Sequence, residues 1–296
     1  MKEAMEMAPA LKPVLPVDVE RRLHEPPPAA VSKFLAEPYT LAPEQIEHYR
    51  THGFVKLEQV ISGEALRYFR EVICYAVGHY FVDDDRAPAD KRVSERSFLQ
   101  AVNLGPKCPA IWPFAHAFRF ADLARRLMGI RGVRLWFDQA LYKQPGGRLT
   151  DYHTDAALWP VQPAGHTTAI WVALVDVPRE CGCMAFAAGS HRAEDDPEFV
   201  DIFSVTEDIP FPGELNWQWV PLAAGDCTFH SGCVYHRADA NCTPAMREAM
   251  TVAYMSADAT YDWPDWNSRV ENTHAFGTAG LRRGDPLDKP STPQLA

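Results

Sequence analysis

His153-Thr154-Asp155, His236 and Arg247 are the residues of this chain best suited to joint chemistry. Two imidazoles and one carboxylate form the ligand set that caps one face of a non-haem Fe(II) and leaves other positions open. A downstream arginine offers a rigid fork for a carboxylate, as an acidic cosubstrate such as 2-oxoglutarate would require. Together they point to activation of O2. The His-x-acid pair means little by itself. With 11 His and 39 acidic residues in 296 positions, about one or two such pairs arise by chance. Context adds weight, because the pair follows a strand-like stretch and the break Gly146-Gly147. A strand's period of two then puts both side chains on one side. The second histidine stays open on residues alone. His230 and His236 share parity within one expected strand over 225–236.

The elements that must position these residues change character along the chain. Residues 1–38 are Pro-rich and unpatterned, and Pro26-Pro27-Pro28 is expected to block a helix, leaving an arm on the surface. Residues 39–296 are expected to form a single domain. Pro43 suits the first turn of a helix. Ser62 is expected to cap a second helix carrying Leu66, Phe69, Val72, Ile73 and Val77 at amphipathic spacing. A third, over 120–128, stops at Gly129. From Val133 the period becomes two, with Val133, Leu135, Phe137, Gln139, Leu141 and Lys143 on one face.

Further strands are expected over 167–175, 225–236 and 246–255, the last pairing antiparallel with the strand of His236 and aiming Arg247 inward. Residues 193–219 are polar, Pro-interrupted and end in Trp217 and Trp219, which suggests a long loop or lid. The tail beyond Tyr261 is expected to wrap the outside. Helices over about 43–130, then short strands over about 133–257, predict a mainly β fold. It would be a jelly-roll or cupin-like barrel with a helical buttress.

Composition narrows the partners. A net charge of -10 leaves no basic stripe for nucleic acid and disfavours an anionic membrane surface. No stretch approaches the ~18 apolar residues of a membrane-spanning helix. The first residues carry acids and prolines where a signal peptide has an apolar run, so a cytoplasmic location is expected. Seven cysteines, an odd number, then read as reduced thiols. Cys181-x-Cys183 lacks the second pair that a zinc site needs. A nucleophile elbow and a glycine-rich phosphate loop are both missing. A small-molecule substrate is the remaining expectation, and the oligomeric state is not legible.

Beyond these residues, the run Gly225-Asp226-Cys227-Thr228-Phe229-His230-Ser231-Gly232, followed by His236, Asn241 and Arg247, resembles the signature of the phytanoyl-CoA dioxygenase family. The resemblance extends over roughly residues 41–290, through His52-Gly53-Phe54-Val55, Asp138-Gln139-Ala140, Val175-Asp176-Val177-Pro178 and Gly189-Ser190-His191-Arg192. It implies a double-stranded β-helix and an Fe(II)- and 2-oxoglutarate-dependent oxygenase. In that family the distal iron ligand precedes the cosubstrate arginine by the step that separates His236 from Arg247. The resemblance therefore makes His153, Asp155 and His236 the metal ligands and leaves His230 as a neighbour or packing residue.

The resemblance also implies that Arg247 grips the cosubstrate, with Lys143 and Trp171 nearby. Gln139, on the strand face of Lys143, is a further expected contact. Family members usually carry Gly-Ser after the distal histidine, where this chain has Arg237-Ala238. That departure puts a hydroxyl contact to the cosubstrate in question and could alter the pocket's charge. Related halogenases replace the ligand carboxylate with a small residue, so Asp155 implies hydroxylation or another oxidation. Tyr142, Leu158, Trp159 and Trp217 are expected to approach the substrate, with a lean toward a small apolar or aromatic metabolite of secondary metabolism. The competing expectations are a cupin-like metal enzyme without 2-oxoglutarate, separated by Arg247, and a catalytically silent metal-barrel binding protein, separated by metal loading.

Overall fold

Two facing antiparallel sheets of six and four strands carry the fold, with helices packed on the larger one. The computed structural model describes residues 16–81, 91–192, 215–262, 278 and 280–296. The helices are α1 (Val19–His24), α2 (Ala29–Ala36), α3 (Pro43–His52), α4 (Gly63–Phe81), α5 (Val93–Ser97), α6 (Leu104–Lys107), α7 (Trp112–Ala115) and α8 (Phe118–Met128). The strands are β1 (Phe54–Leu57), β2 (Leu99–Val102), β3 (Val133–Tyr142), β4 (Thr150–His153), β5 (Val161–Gln162) and β6 (Thr167–Ala173). They continue as β7 (Met184–Ala187), β8 (Trp217–Val220), β9 (Cys227–Ser231), β10 (His236–Ala238), β11 (Ala249–Ser256) and β12 (Thr260–Tyr261).

The large sheet runs β1-β9-β6-β11-β3-β2 and the small one β4-β10-β7-β8. One face of the large sheet, through Ile170, Val172, Phe229, Met250 and Val252, joins helix residues Phe69, Ile73, Phe120 and Leu127 in the main core. Its other face turns toward the small sheet, so Trp171 and Ala249 pack with Phe186 and Ala238. This is the expected jelly-roll barrel with a helical buttress. Two helix signals behave as read. Pro43 opens α3, and α8 ends at Gly129 with φ 69°, a left-handed conformation that suits glycine.

The structure corrects several expectations. The segment read as an unpatterned arm folds into α1 and α2, and Leu23, Val31 and Leu35 are buried in the main core. Pro28 does not block a helix. It occupies the N-cap of α2 in extended backbone, where its missing N–H costs nothing. The first part of that segment, residues 1–15, lies outside the described residues.

The single face expected for 133–143 is split, because the β3/β11 register slips between Phe137 and Leu135, leaving Trp136 as an extra residue. Val133 and Leu135 therefore face the helices, while Phe137, Gln139 and Leu141 face the barrel interior. The stretch 225–236 is two strands in different sheets, and Arg247 precedes a strand paired with β3 and β6 rather than with β10. The first part of the expected lid, 193–214, lies outside the described residues, while 217–220 is the strand β8. Of the tail, residues 293–296 run beside the start of β3.

All seven cysteines are free thiols. Among the described residues no helix is long and apolar enough to cross a membrane.

Because Leu23 is fully buried and Ala110 N–H donates to its carbonyl at 3.0 Å, α1 is part of the core. Leu23→Ala is expected to cost about 2–5 kcal/mol in urea denaturation. A loss within about 0.5 kcal/mol, typical of surface positions, would show that α1 does not pack.

Candidate metal and cosubstrate site

The small sheet sets the ligands. In the antiparallel pairing of β10 with β4, His236 is the partner of His153, and their rings lie 4.2 Å apart between centroids. Each Nδ1 meets the carbonyl two residues earlier, Asp151 O at 2.9 Å for His153 and Val234 O at 3.1 Å for His236. A carbonyl only accepts, so Nδ1 carries the hydrogen and Nε2 keeps its lone pair for a metal. Arg148 in turn braces the Asp151 carboxylate through two hydrogen bonds of 2.6 and 3.1 Å.

Beyond β4 the chain leaves the sheet. The Ala156 N–H donates to Gly232 O at 2.8 Å, which swings Asp155 over the histidines. Gly232 has no room for a Cβ, which would meet Thr167 Oγ1 at 2.1 Å. Among the described residues, His153, Asp155 and His236 offer ligand atoms that all lie within 4.8 Å of one another.

Burial lowers the pKa of His153 and, more strongly, of His236, so both stay neutral. Burial alone would raise that of Asp155, but the neighbouring His236, the hydrogen bond from His230 and the nearby His153 outweigh it and hold the carboxyl at about 2. Two neutral imidazoles and one ionised carboxylate are ready to bind a divalent cation.

The second part of the site lies on the interior face of the large sheet. Arg247 is buried at 2% exposure, and its guanidinium carbon sits 5.3 Å from the Trp171 ring centroid. Its Nη1 donates to Gly182 O at 2.8 Å, and its Nε has no partner among the described residues. No carboxylate pairs with it there either, and burial pulls its pKa down to about 10. A buried cation without a counter-charge is costly, so the site suits an anion. Gly182 has φ 81°, and a Cβ there would meet Asp239 O at 2.5 Å, so glycine is needed where the carbonyl meets Arg247. Trp171 Nε1 and Thr228 Oγ1, on residues paired across β6 and β9, are also buried and without a partner among the described residues.

The other expected site residues divide. Gln139 faces the interior, bonded to Gln100 Nε2 at 2.6 Å. Trp159 meets Phe137 edge-on at 5.7 Å, and Leu158 packs on the same apolar cluster. Lys143 is fully buried, but its ammonium donates to Arg148 O, Thr150 Oγ1 and Asp239 O, which takes up its three donors. It braces the site rather than offering a hydrogen bond to a cosubstrate.

Tyr142 belongs to the helix-side core, one residue off the interior parity, and does not reach the site. Trp217 pairs with Ala187, and strand alternation puts it on the face opposite Phe186, whose ring lies 6.2 Å from His236. Arg237 likewise alternates away from His236 and pairs with Asp239 at 3.1 Å, so it does not charge the interior. Sequence reasoning missed Phe186, on a strand too short to show a period. It also missed Thr228, although two-residue spacing from His230 marks it.

The sequence profile of the phytanoyl-CoA dioxygenase (PhyH) family matches residues 49–249. The chain belongs to that family. It is 32% identical over 145 residues to the phytanoyl-CoA dioxygenase domain-containing protein 1 homolog of Caenorhabditis briggsae, a match covering 44% of this chain and half of that protein's length. Among solved structures, it resembles the non-heme alpha ketoglutarate dependent carbocyclase SnoK from nogalamycin biosynthesis. There the TM-score is 0.71 at 28% identity, over 88% of this chain and 100% of that one. It also resembles the epimerase SnoN in complex with Fe3+, alpha ketoglutarate and nogalamycin RO, with a TM-score of 0.69 at 29% identity, over 86% and 98% of the two chains.

Neutral buried histidines make a pH prediction with a definite sign. In the unfolded chain both return to the ordinary value of 6.5, so below that pH unfolding takes up protons that the fold refuses. Stability of the metal-free protein therefore falls as pH drops below about 6.5, by up to about 1.4 kcal/mol per unit for each histidine. Urea midpoints at pH 7.5 and 5.5 measure this. The double variant H153Q/H236Q should show a shallower fall than wild type, and equal slopes would contradict the assignment.

Proposed function

We propose that this member of the phytanoyl-CoA dioxygenase family is a non-haem iron, 2-oxoglutarate-dependent oxygenase that oxidises a small organic metabolite, by default hydroxylating it. One observation carries the proposal. A His-Asp-His cluster shares the barrel interior with Arg247, a buried guanidinium that has no carboxylate partner among the described residues. The donor set fits Fe(II), and the uncompensated charge fits the distal carboxylate of 2-oxoglutarate. A cupin-like enzyme without an acidic cosubstrate would have no use for that charge.

His153 Nε2, His236 Nε2 and an Asp155 oxygen would hold the metal, their Nδ1–H bonds to backbone carbonyls keeping both imidazoles aimed. Arg247 would hold the cosubstrate's distal carboxylate, with Trp171 Nε1–H and the Thr228 hydroxyl, both without a partner among the described residues, as neighbouring donors. Lys143 keeps the β3 end against Arg148 and Asp239, which fixes the backbone from which Arg247 projects through its bridge to Lys143. Iron and 2-oxoglutarate, once bound with O2, supply an oxidant by decarboxylation to succinate and CO2, able to take hydrogen from a C–H bond. The apolar wall of Phe137, Leu158, Trp159 and Ala169 would keep water from that oxidant and favour an apolar or aromatic substrate.

Arg247→Met is expected to weaken 2-oxoglutarate binding by about 3 kcal/mol, roughly 100-fold in Kd, while Fe(II) still binds. Anaerobic titration followed by the visible charge-transfer band of the ternary complex measures it. The band is expected in wild type and at far higher 2-oxoglutarate in the variant. A folded wild-type protein without the band would overturn the proposal, as would a variant that binds 2-oxoglutarate equally well. Succinate release across metabolite classes, with mass spectrometry of the product, then identifies substrate and outcome.

A further inference from the structure

We infer that His230 is a positioning residue for the metal site: its Nε2–H holds one oxygen of Asp155 and leaves the other to face the metal. The inference rests on the iron-binding reading above. His230 is 3% exposed, and its Nε2 lies 3.2 Å from Asp155 Oδ2. An ionised carboxylate only accepts, so Nε2 carries the hydrogen. Nδ1 is buried without a partner among the described residues, which favours the tautomer that leaves no hydrogen there. Oδ1 instead faces the ligand edge of His236, 3.9 Å from its Nε2. The two oxygens of one carboxylate thus have different neighbours, one a ligand histidine and the other a donor on the opposite sheet.

The backbone gives that donor a fixed place. On β9, His230 pairs with Phe54 of β1 on one side and Ala169 of β6 on the other. Its carbonyl accepts from the Thr168 hydroxyl at 2.8 Å, which accepts from Tyr49 of α3 at 2.9 Å. The ring lies 5.4 Å from Phe186 and 4.7 Å from His236. Asp155, by contrast, sits past the end of β4, held by backbone bonds around Gly232. A residue paired on both sides within the large sheet thus holds a ligand that lies outside any strand.

The consequence is chemical. A carboxylate with both oxygens free can take two positions on a metal, and the second would compete with the cosubstrate or O2. Occupying Oδ2 with a hydrogen bond keeps Asp155 a one-oxygen ligand. Outer-sphere partners of this kind typically change metal affinity by about 10- to 100-fold.

The test compares wild type, H230F and H230Q. Phenylalanine fills the space and removes the donor, while glutamine restores an N–H at similar reach. Urea midpoints check the fold, and H230L replaces H230F if that variant does not fold. Anaerobic titration with Fe(II) alone, then with 2-oxoglutarate, gives the metal Kd and the charge-transfer band, and air exposure gives the rate at which the band bleaches. H230F is expected to bind Fe(II) at least about tenfold more weakly, with a shifted band and slower bleaching. H230Q is expected to restore most of each. A wild-type protein that forms the complex, with H230F matching it in affinity and band, would overturn this inference and leave the iron reading standing. Equal impairment of folded H230Q and H230F would also overturn it, since ring packing would then be the cause. A wild-type protein that does not bind Fe(II) would overturn both.

Discussion

The pairing of His236 with His153 across β10 and β4 is the constraint on which the site depends. Side chains alternate along a strand, so a slip of one residue in β10 would turn His236 outward and bring Arg237 inside. The register is held from the other side by β7, where Phe186 is opposite His236 and Met184 opposite Ala238. Phe186 and Met184 are both buried among apolar side chains, so the hydrophobic pattern that closes the barrel also aims the ligands. Asp155 completes the set from outside the strand, through the backbone bond that joins Ala156 to Gly232. Both sheets must therefore be docked before the three ligand atoms converge.

Within that enclosure the buried charges are satisfied unevenly, and the unevenness separates function from support. Asp155 is surrounded by histidines, and Lys143 has an oxygen for each hydrogen. Arg247 has one carbonyl and an aromatic face. Burial disfavours all three ions, and the partners decide which remain reactive toward a ligand. Lys143 is spent on structure, whereas Asp155 and Arg247 keep capacity for a cation and an anion. On the far side of the large sheet, Arg70 of α4 grips Glu248 with bonds of 2.8 and 3.1 Å, anchoring the residue next to Arg247 to the helical layer. The helices that carry no ligand thus fix the strand entry from which Arg247 projects.

The sequence made the strong local signals legible. Pro43, Gly129 and the amphipathic run of α4 each state a preference that packing does not reverse. The His-x-Asp pair was readable as part of a metal set, whereas the distal histidine stayed open between His230 and His236 until the family resemblance favoured His236. The structure brings His153, Asp155 and His236 together. What stayed hidden was set by contacts distant in sequence. Trp136 looks like any strand residue, yet the register slip beside it reverses the parity of everything upstream. The turn between β9 and β10 contains Gly232, but nothing local shows that the chain crosses there from one sheet to the other. Pro26-Pro27-Pro28 reads as a helix breaker because the helix that Pro28 starts is held by core contacts rather than by propensity. Strands such as β7 are too short for periodicity to register.

The most direct measurement is a crystal structure of the protein loaded anaerobically with Fe(II) and 2-oxoglutarate, with anomalous scattering recorded at the iron edge. One peak is expected, bound by Nε2 of His153, Nε2 of His236 and a single oxygen of Asp155. The distal carboxylate of 2-oxoglutarate is expected on Arg247. Iron held by His230 in place of one of these ligands, or 2-oxoglutarate bound away from Arg247, would contradict the assignment of the site.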